Sequence, residues 1–479
     1  MNLTLRRLPI LAALAALAVV IAGACGDDDD DGGTTVPSAM GTEPAATATL
    51  APGAAGIPSD PREVAGLEGI LELDDGLAIW NERPAGENRT GVTEDTIKLG
   101  RTTGITGAFA AYEPYWGGVL NTMIERINDA GGIHGRKIEL VTKDDASDPT
   151  TGVQVTTELI DADQVFALFF SIGAFTHAAV HDYHVEKEVP DLFYFDASTL
   201  GQEPETSPWD FNGQNSDIMS GFAMAEAVLN IDPEANPALV YADFPASQDG
   251  RKGVLTVMDN AGKELAADLS HDLTQVDLSA QATQVADSGA NWLIYHGSIG
   301  QSVSLTKSLR ETAGSDMPVM QWGWVPTADS ATDAIFDGTY QVTFVKSPYV
   351  DATNAAWPKL AALAGNQYAP LLAAQSLMAI QHLVRALELA GPDLTREGLV
   401  EALEIGFDGS WSCSVCLAPT IFGPQDHWQN ESYIVGKWDQ EAQKFEIIDT
   451  LNYETSEGKG VRGNIVGFEC NGGTCPWKE

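Results

Sequence analysis

The sequence predicts an α/β protein of two lobes, each built around a central parallel sheet. From Thr93 onward, apolar segments typical of strands alternate with amphipathic segments typical of helices. Such alternation favours parallel sheets with right-handed crossovers. The alternation begins again after about residue 216. A chain of 479 residues is also too long for one ordinary hydrophobic core, so two units of similar rhythm indicate two lobes.

The first unit opens with "TIKLGRTTG", which predicts a strand followed by a loop. Next, "YWGGVLNTMIERINDAGG" has apolar residues at helical spacing and a glycine pair that ends a helix. "KIELVTKDD" predicts a strand, and "PTTGVQVTTELIDAD" predicts a helix with Pro149 near its start. "VFALFFS" is apolar almost throughout, as in a strand buried on both faces. The helix "AFTHAAVHDYHVEKE" and the strand "DLFYFDA" complete the unit.

The second unit repeats this order. Its predicted strands are "PALVYAD", "NWLIYHGS" and "MPVMQW", and its predicted helices are "SGFAMAEAVLNI", "SQDGRKGVLTVMDNAG" and "SVSLTKSLRETAG". A long helix follows over "APLLAAQSLMAIQHLVRALELAG". Near the end, "ESYIVGKWDQEAQKFEIID" predicts a hairpin.

The N-terminus has the pattern of an export signal. Arg6 and Arg7 precede the apolar stretch "LPILAALAALAVVIAGA", which is short for a membrane span and ends in small residues before Cys25. The string "AGAC" resembles a bacterial lipobox, although Ala22 stands where leucine is commonest. We predict a lipoprotein signal peptide over residues 1–24 and lipidation of Cys25. An uncleaved anchor and a plain secretory signal are the alternatives.

A flexible tether is predicted over residues 25–60, beginning at the lipid anchor. Five consecutive aspartates are followed by a stretch rich in Pro, Ala, Gly and Thr, with almost no large apolar side chains. Such a composition cannot form a packed core. Residues 61–91 form an N-terminal extension, in which "REVAGLEGILEL" predicts a short helix.

The charge balance is strongly acidic. The formal net charge is −42, from 26 Lys and Arg against 68 Asp and Glu. Such a field repels nucleic acid and anionic membrane surfaces, so we expect no nucleic-acid partner. Solubility in an exposed environment is the simplest interpretation of the acidity.

After Cys25, four cysteines remain: Cys413, Cys416, Cys470 and Cys475. The last two lie in a predicted C-terminal tail, residues 454–479. An even number in an exported protein predicts two disulfides, and the sequence leaves three pairings open. The spacing of Cys413 and Cys416 also suits a zinc site, which is the alternative.

Enzyme signatures are weak in this chain. No nucleophile elbow of the G-x-S-x-G type is present, and there is no phosphate-binding glycine loop, so we expect a protein that is not an enzyme. His177, His181 and His184 have a spacing that suits a metal. An exposed helix face is the preferred interpretation of these three histidines, and no metal or cofactor is predicted.

Two segments carry a family resemblance. "IKLGRTTGITGAF", followed by "INDAGGIHGRKIELVTKDDASDP", resembles the opening of a type I periplasmic binding protein of the branched-chain amino-acid family. "APTIFGPQDHWQNESYIVGKWD" is similar to the closing segment of that family. The resemblance extends from about Val92 to Tyr453, in the right order.

The resemblance implies two Rossmann-like lobes joined by a three-segment hinge, with solute held in the cleft between them. Lobe 1 would comprise residues 93–214 and 352–430, and lobe 2 residues 215–350 and 431–453. The crossings would lie near residues 213–216, 348–353 and 430–433. Open α/β sheets also bind ligands at the carboxyl ends of their strands on physical grounds.

In lobe 1, the resemblance implies that backbone N–H groups and hydroxyls hold the carboxylate of an amino acid. The matching positions are Gly173, Ala197 and Thr199. Gly173 stands where relatives offer a serine hydroxyl. Tyr112, in the loop after the first strand, is expected either to contact the ligand or to be a surface or hinge aromatic.

At the first crossing, Asp217 matches an acid that holds the ligand's ammonium group, and helix N-capping is its alternative role. In lobe 2, Ser298 matches a polar or aromatic contact. A second acid is expected after "MPVMQ", but this sequence has Trp322 and Trp324 there. The tryptophans suit a cation–π contact or a stacking wall, and packing within the lobe is equally compatible. This departure favours amides, aromatic acids or cations beside branched-chain amino acids.

The implied function is capture of a small amino acid or similar solute for an ABC importer. The implied partners are a membrane permease and its ATPase, and we expect a monomer anchored outside the cytoplasmic membrane by lipidated Cys25. A surface receptor of the same fold that senses its ligand and signals is the alternative, and a purely structural surface lipoprotein is a third.

Overall fold

A computed structural model of the protein describes residues 87–197, 204, 206–272, 274–322, 334–354, 356–424, 426–429 and 432–453. Two separate sheets with helices packed against them account for most of these residues. This confirms the predicted α/β class. The predicted signal peptide, tether, extension helix and tail lie outside the described residues, as do Cys25, Thr199, Trp324, Cys470 and Cys475.

The first sheet has five parallel strands in the order β2-β1-β3-β4-β5. The strands are β1 (Thr96–Thr103), β2 (Lys137–Asp144), β3 (Ala167–Phe169), β4 (Asp191–Tyr194) and β5 (Asp210–Asn212). Leu99 in β1 is aligned with Leu140 in β2 and Ala167 in β3. The sequence predicts the first four of these strands. β5 is only three residues long and carries no pattern that the sequence makes visible.

Helices cover the first sheet. They are α1 (Glu113–Asp129), α2 (Pro149–Thr157), α3 (Ala174–Glu186), and, from later in the chain, α8 (Ala356–Ala364), α9 (Pro370–Ala390) and α10 (Arg396–Gly406). The apolar residues of α1 face inward, where the helix packs on α9. As predicted, a glycine pair ends α1: Gly131 and Gly132 have φ of 105° and 74°, a conformation that favours glycine.

The second sheet has seven strands in the order β12-β11-β10-β9-β8-β6-β7. The strands are β6 (Pro237–Ala242), β7 (Ala267–His271), β8 (Trp292–His296), β9 (Val319–Trp322), β10 (Tyr340–Thr343), β11 (Ser432–Asp439) and β12 (Lys444–Asn452). β6 to β10 are parallel, whereas β11 pairs antiparallel with β10 and β12. The predicted hairpin is therefore confirmed as the edge of this sheet, which makes the sheet mixed.

The helices of the second unit are α4 (Asp217–Ile231), α5 (Pro245–Asn260), α6 (Ser279–Asp287) and α7 (Ile299–Lys307). α4 packs on α5 and also contacts β8, β9 and β10. A Cβ atom added to Gly221 of α4 would lie 1.9 Å from the carbonyl oxygen of Gly250 in α5, and one added to Gly253 would lie 2.0 Å from that of Ile218. Glycine is therefore required where the two backbones touch.

The chain moves between the two sheets at the ends of these elements. β5 ends at Asn212 and α4 begins at Asp217. After β10, the chain returns to pack α8 on α1, and it re-enters the second sheet at Ser432. The lobe boundaries given by the sequence stay a prediction, because one hydrophobic cluster, with residues from Ile97 to Tyr453, extends through both units.

The expected exposed face for His177, His181 and His184 is wrong. Their relative exposures are 4%, 7% and 0%, and all three face the carboxylate of Asp210. The physical reason is that β4 and β5 place buried acids under α3, so the histidines face carboxylates there and not water.

Cys413 and Cys416 form a disulfide. This settles one of the predicted pairs and removes these two thiols from the zinc alternative in the oxidised chain. No helix among the described residues combines the length and the apolar character that crossing a membrane requires.

We expect Gly221→Ala to destabilise the protein by about 3 kcal/mol, because its methyl group would overlap a backbone oxygen that cannot move independently. Gly300→Ala in α7 is the matched control. Nothing lies within 4 Å of a Cβ atom there, so the substitution should stabilise by about 0.5–1 kcal/mol. Chemical denaturation measures both values. Equal effects of the two substitutions would contradict the close helix contact.

Candidate functional site

The candidate site lies where the carboxyl ends of β1, β3 and β4 meet the beginning of α4. Parallel strands bring their carboxyl ends to one edge of a sheet, where ligands of open α/β folds bind. The backbone N–H of Asp217, the first residue of α4, donates to the carbonyl oxygen of Ala197 over 2.7 Å. The structure therefore brings together two of the predicted site residues, one after β4 and one at the first crossing.

Gly173 is the N-cap residue of α3 and lies four residues after the end of β3. Its φ of 122° is a backbone conformation that L side chains rarely adopt, and its N–H donates to the carbonyl oxygen of Phe195 over 3.2 Å. The first intrahelical bond of α3 runs from the His177 N–H to the Gly173 carbonyl over 3.0 Å. The preceding N–H groups at this helix start lack intrahelical acceptors and can bind an anion.

Aromatic side chains line the same region. Trp116 lies 5.9 Å from the ring of Tyr112, 6.2 Å from that of Phe109 and 5.6 Å from that of Phe195. Tyr112 is half-buried, and burial raises the pKa of its phenol, so it is a neutral hydrogen-bonding group. The structure thus places Tyr112 in an aromatic cluster at the start of α1, beside the strand ends.

A buried ion pair fixes the start of α1 against the sheet. The Arg101 guanidinium donates to both Glu113 carboxylate oxygens, over 2.5 and 2.8 Å. Thr103 Oγ1 also donates to Glu113 over 2.7 Å, and Arg101 Nε donates to the Phe170 carbonyl over 2.9 Å. Bidentate pairs of this kind add geometric specificity, so β1, β3 and the Tyr112 loop are held in one arrangement.

The carboxyl group of Asp217 is buried at a position where an ionised carboxylate is energetically unfavourable. Its relative exposure is 4%, and its Oδ1 atom has no hydrogen-bond partner. Burial, followed by the nearby charges of Asp196 and Asp249, raises the pKa of its carboxyl group well above the ordinary value. A buried carboxyl group without compensation takes up a proton, so Asp217 is neutral until a positive charge reaches it.

His296, at the end of β8, faces Asp217. Its Nε2 atom lies 3.6 Å from Asp217 Oδ1 and 2.8 Å from Ser220 Oγ, and its Nδ1 atom lies 3.0 Å from Ser247 Oγ. Burial lowers the pKa of His296 to about 3. The imidazole is therefore neutral and does not supply the positive charge that Asp217 lacks.

Trp322 is buried at the carboxyl end of β9, with a relative exposure of 4%. Its ring is parallel to that of His296, with centroids 6.2 Å apart, and it also contacts Phe344 and Tyr433. Trp322 thus belongs to the layer behind Asp217 and His296. Its role as a ligand contact stays a prediction.

Ser298, another predicted site residue, is not placed with Asp217, His296 and Trp322. It is exposed at the start of α7, and its hydroxyl donates to the side chain of Gln301. Asp217 itself lies inside the first turn of α4. The N-cap position is occupied by Ser216, whose side chain makes no capping bond, so the alternative capping role of Asp217 receives no support.

Sequence reasoning missed His296, Asp196 and Asp249. The signal for His296 was available, because the apolar strand "WLIYH" ends in one polar residue at its carboxyl edge. Asp196 and Asp249 have no such signal. Their importance comes from the approach of β4 and α5 to Asp217, which only the fold creates.

Comparison with known proteins identifies the family. The family model described as "Periplasmic binding protein" matches residues 96–444, and the chain belongs to this family. This is a family of solute-binding proteins, not a class of enzymes. The matched segment includes the first sheet, the second sheet up to the beginning of β12 and all the site residues described above.

Named relatives agree with the family. An "Amino acid binding protein" of Pseudomonas aeruginosa is 29% identical over 48% of this chain and 61% of its own length. A "Leu/Ile/Val-binding protein homolog 1" of Brucella abortus is 24% identical over 71% of this chain and 89% of its own length. The chain thus spans about three fifths of the first relative and most of the second.

A solved structure shows the same fold. A branched-chain amino acid transporter substrate-binding protein from Streptococcus pneumoniae, in complex with isoleucine, matches with a TM-score of 0.62. The match covers 75% of this chain and all of that one, at 20% identity. The two-sheet architecture is therefore that of type I periplasmic binding proteins.

We expect Asp217→Asn to stabilise the ligand-free protein near pH 7, by on the order of 1–2 kcal/mol. Because the folded-state pKa of Asp217 is raised, the folded protein holds a proton that the unfolded chain releases above about pH 4. The contribution of Asp217 to stability is therefore present below that pH and is lost as the pH rises toward the folded pKa.

Unfolding free energies from urea titrations between pH 4 and pH 8 test this expectation. The difference between Asp217→Asn and the unmodified protein should grow with pH. The exposed Asp182, mutated to Asn, is the control. A constant difference across the pH range would contradict a raised pKa at Asp217.

Proposed function

We propose that this chain is an extracytoplasmic substrate-binding lipoprotein of an ABC importer. It captures a small amino acid or similar solute between its two lobes, 93–214 with 352–430 and 215–350 with 431–453, and delivers it to a membrane permease. The observation that carries the proposal is the buried carboxyl group of Asp217, whose Oδ1 atom has no hydrogen-bond partner, together with the N–H groups at the start of α3. The carboxyl group of Asp217 suits an ammonium ion, and the N–H groups at the start of α3 suit a carboxylate.

The carboxylate of the solute is bound by lobe 1. Free N–H groups follow Gly173 at the start of α3, and helix starts attract anions through these groups and the helix dipole. Ala197 and Thr199, in the loop after β4, contribute backbone and hydroxyl groups. Tyr112 closes this side with its ring. A zwitterion of amino-acid size therefore has a place for each end.

The ammonium group of the solute is held by Asp217, which loses its proton as the cation arrives. Asp249 is buried and raises the pKa of Asp217. Its carboxylate already pairs with Lys252 Nζ over 2.5 Å, so we assign the ammonium group to Asp217 alone. We infer that Trp322 and Trp324 contact apolar, aromatic or cationic parts of the solute, and that Ser298, which is exposed at the start of α7, makes a polar contact. Branched-chain amino acids, amides and aromatic acids remain the solute classes.

Anchoring completes the proposal. Residues 1–24 direct export, and Cys25 is lipidated and holds the protein at the outer face of the cytoplasmic membrane. Residues 25–60 are the tether, with an average reach of roughly 30–35 Å. Residues 61–91 lead into the folded body, which acts as a monomer with its permease and ATPase. We infer that Cys470 and Cys475, in the tail 454–479, form the second disulfide.

A thermal-shift screen tests the function. The probes are leucine, isoleucine, valine, their amides, phenylalanine, benzoate and choline. A solute that binds only the folded protein raises its stability, by about 2.7 kcal/mol at a concentration 100 times the Kd. Mass spectrometry of the recovered solute should show no conversion. A complete absence of hits from these classes would contradict solute capture.

The Asp217→Asn variant tests whether Asp217 holds the ammonium group of the solute. For an amino-acid hit, calorimetry should show about 10²- to 10³-fold weaker binding, because the buried ammonium loses its charged partner. Asp182→Asn should bind as the unmodified protein does. If Asp217→Asn binds an amino acid with unchanged affinity, the ammonium group is held elsewhere and the proposed site is wrong.

A further inference from the structure

A second group of buried polar side chains lies under α3, between that helix and the first residues of β4 and β5. It consists of His177, His184, Asp191 and Asp210, which we call the His–Asp cluster. One possible ligand atom from each of the four lies within 4.8 Å of the others. His177 and His184 are seven residues apart, which places them on one face of the helix. The proposed solute site uses none of these four side chains.

The two histidines are oriented as metal ligands. His184 Nδ1 lies 3.1 Å from the Val189 carbonyl oxygen, so this nitrogen carries the hydrogen and Nε2 carries a lone pair. His177 Nδ1 lies 2.8 Å from a carboxylate oxygen of Asp196, and its Nε2 lies 3.4 Å from Asp210 Oδ1 in a long hydrogen bond, so metal binding at His177 requires loss of the Nε2 hydrogen. A carbonyl or carboxylate behind the imidazole is the usual outer partner of a metal-bound histidine.

Three side-chain atoms of the His–Asp cluster lack hydrogen-bond partners. His184 Nε2, Asp191 Oδ1 and Asp210 Oδ2 are buried and make no hydrogen bond. His181 Nε2 lies 3.3 Å from Asp210 Oδ2, but it also lies 2.8 Å from Ser207 Oγ, its hydrogen-bond partner. Buried polar atoms are normally satisfied, so these three atoms are candidates to bind an ion.

The spacing suits a tetrahedral ion. His177 Nε2 and His184 Nε2 lie 3.4 and 3.2 Å from Asp210 Oδ1, and His177 Nε2 lies 3.9 Å from Asp191 Oδ2. Ligands at about 2.0–2.1 Å from a tetrahedral zinc ion are about 3.3 Å apart. We propose that the His–Asp cluster binds one Zn²⁺ ion through His177, His184, Asp191 and Asp210.

Two carboxylates balance the charge of Zn²⁺, and the ligands come from protein alone, as in structural zinc sites. Asp196, behind His177, and the Val189 carbonyl, behind His184, form the outer layer. The ion joins α3 to β4 and β5. Since the start of α3 is also the proposed carboxylate site, the ion stabilises the lobe that binds the solute.

A second candidate group competes for the metal. His382, Cys413 and Cys416 also lie close enough to hold an ion, but the two cysteines form a disulfide with each other. A thiolate must be free to bind a metal, so the oxidised chain favours the His–Asp cluster. The experiment must nevertheless separate the two groups.

The first measurement uses the full mature chain, produced in an oxidising compartment and dialysed against metal-free buffer. Elemental analysis should find about one zinc per chain. Removal of the metal with dipicolinate should lower the Tm, and Zn²⁺ should restore it whereas Mg²⁺ should not. Absence of zinc together with a Tm that does not respond to Zn²⁺ would overturn the proposal.

The second measurement locates the ion. Co²⁺ in place of zinc should give the visible absorption of a tetrahedral site without a thiolate charge-transfer band. The double variant Cys413→Ser/Cys416→Ser should keep its metal, and His184→Gln should lose it. A thiolate band, or loss of metal in the double variant, would place the ion on the cysteines and overturn the proposal.

A matched pair of substitutions tests the outer layer, and it is informative even if His184→Gln does not fold. Asp196→Asn should weaken zinc binding by about 10- to 100-fold, because Asp196 supports His177. Asp182→Asn, which removes the exposed carboxylate beside His181 Nδ1, should leave zinc affinity unchanged. Equal zinc affinities in both variants would show adventitious binding and contradict the site.

Discussion

The burial of the Asp217 carboxyl group is the constraint on which the proposed site depends. The N–H of Asp217 is bonded to Ala197, and α4 is pressed against α5 at Gly221 and Gly253, so this side chain cannot retreat to water. Its nearest charges are those of other acids. In the ligand-free protein, the Asp217 carboxyl group therefore keeps a proton. Binding of a cation reduces the energetic cost of an ionised carboxylate at this buried position. The buried Asp217 carboxyl group lowers the stability of the ligand-free protein and favours binding, a trade-off that is common at functional sites.

The first sheet and the helices packed on it hold that geometry in place. The buried pair of Arg101 and Glu113 ties the start of α1 to β1 and β3, while α3 presents its first N–H groups to the solute site. The His–Asp cluster lies beneath the same helix. Asp196 connects the two regions, because it contacts His177 and also raises the pKa of Asp217. Metal binding and solute binding thus share one supporting layer.

The sequence alone predicts most of the fold but only part of the site. Alternating periodicity and the glycine pair after α1 identify strands and helices, because these signals are local. The burial of His177 and His184 is not local, since it depends on Asp210, which arrives on a three-residue strand. His296 and Asp249 reach Asp217 only through the packing of α4, α5 and β8. The polar end of "WLIYH" marks His296 in the sequence, but nothing local shows that its partner is Asp217.

Proton release on solute binding tests the central claim most directly. Calorimetric titrations of an amino-acid hit near pH 7, in two buffers of different ionisation enthalpy, count the protons exchanged. The account predicts release of about one proton per solute bound, because Asp217 must ionise to hold the ammonium group. Asp217→Asn should release none. Equal binding enthalpies in both buffers for the unmodified protein would contradict the account, since Asp217 would then be ionised before the solute arrives.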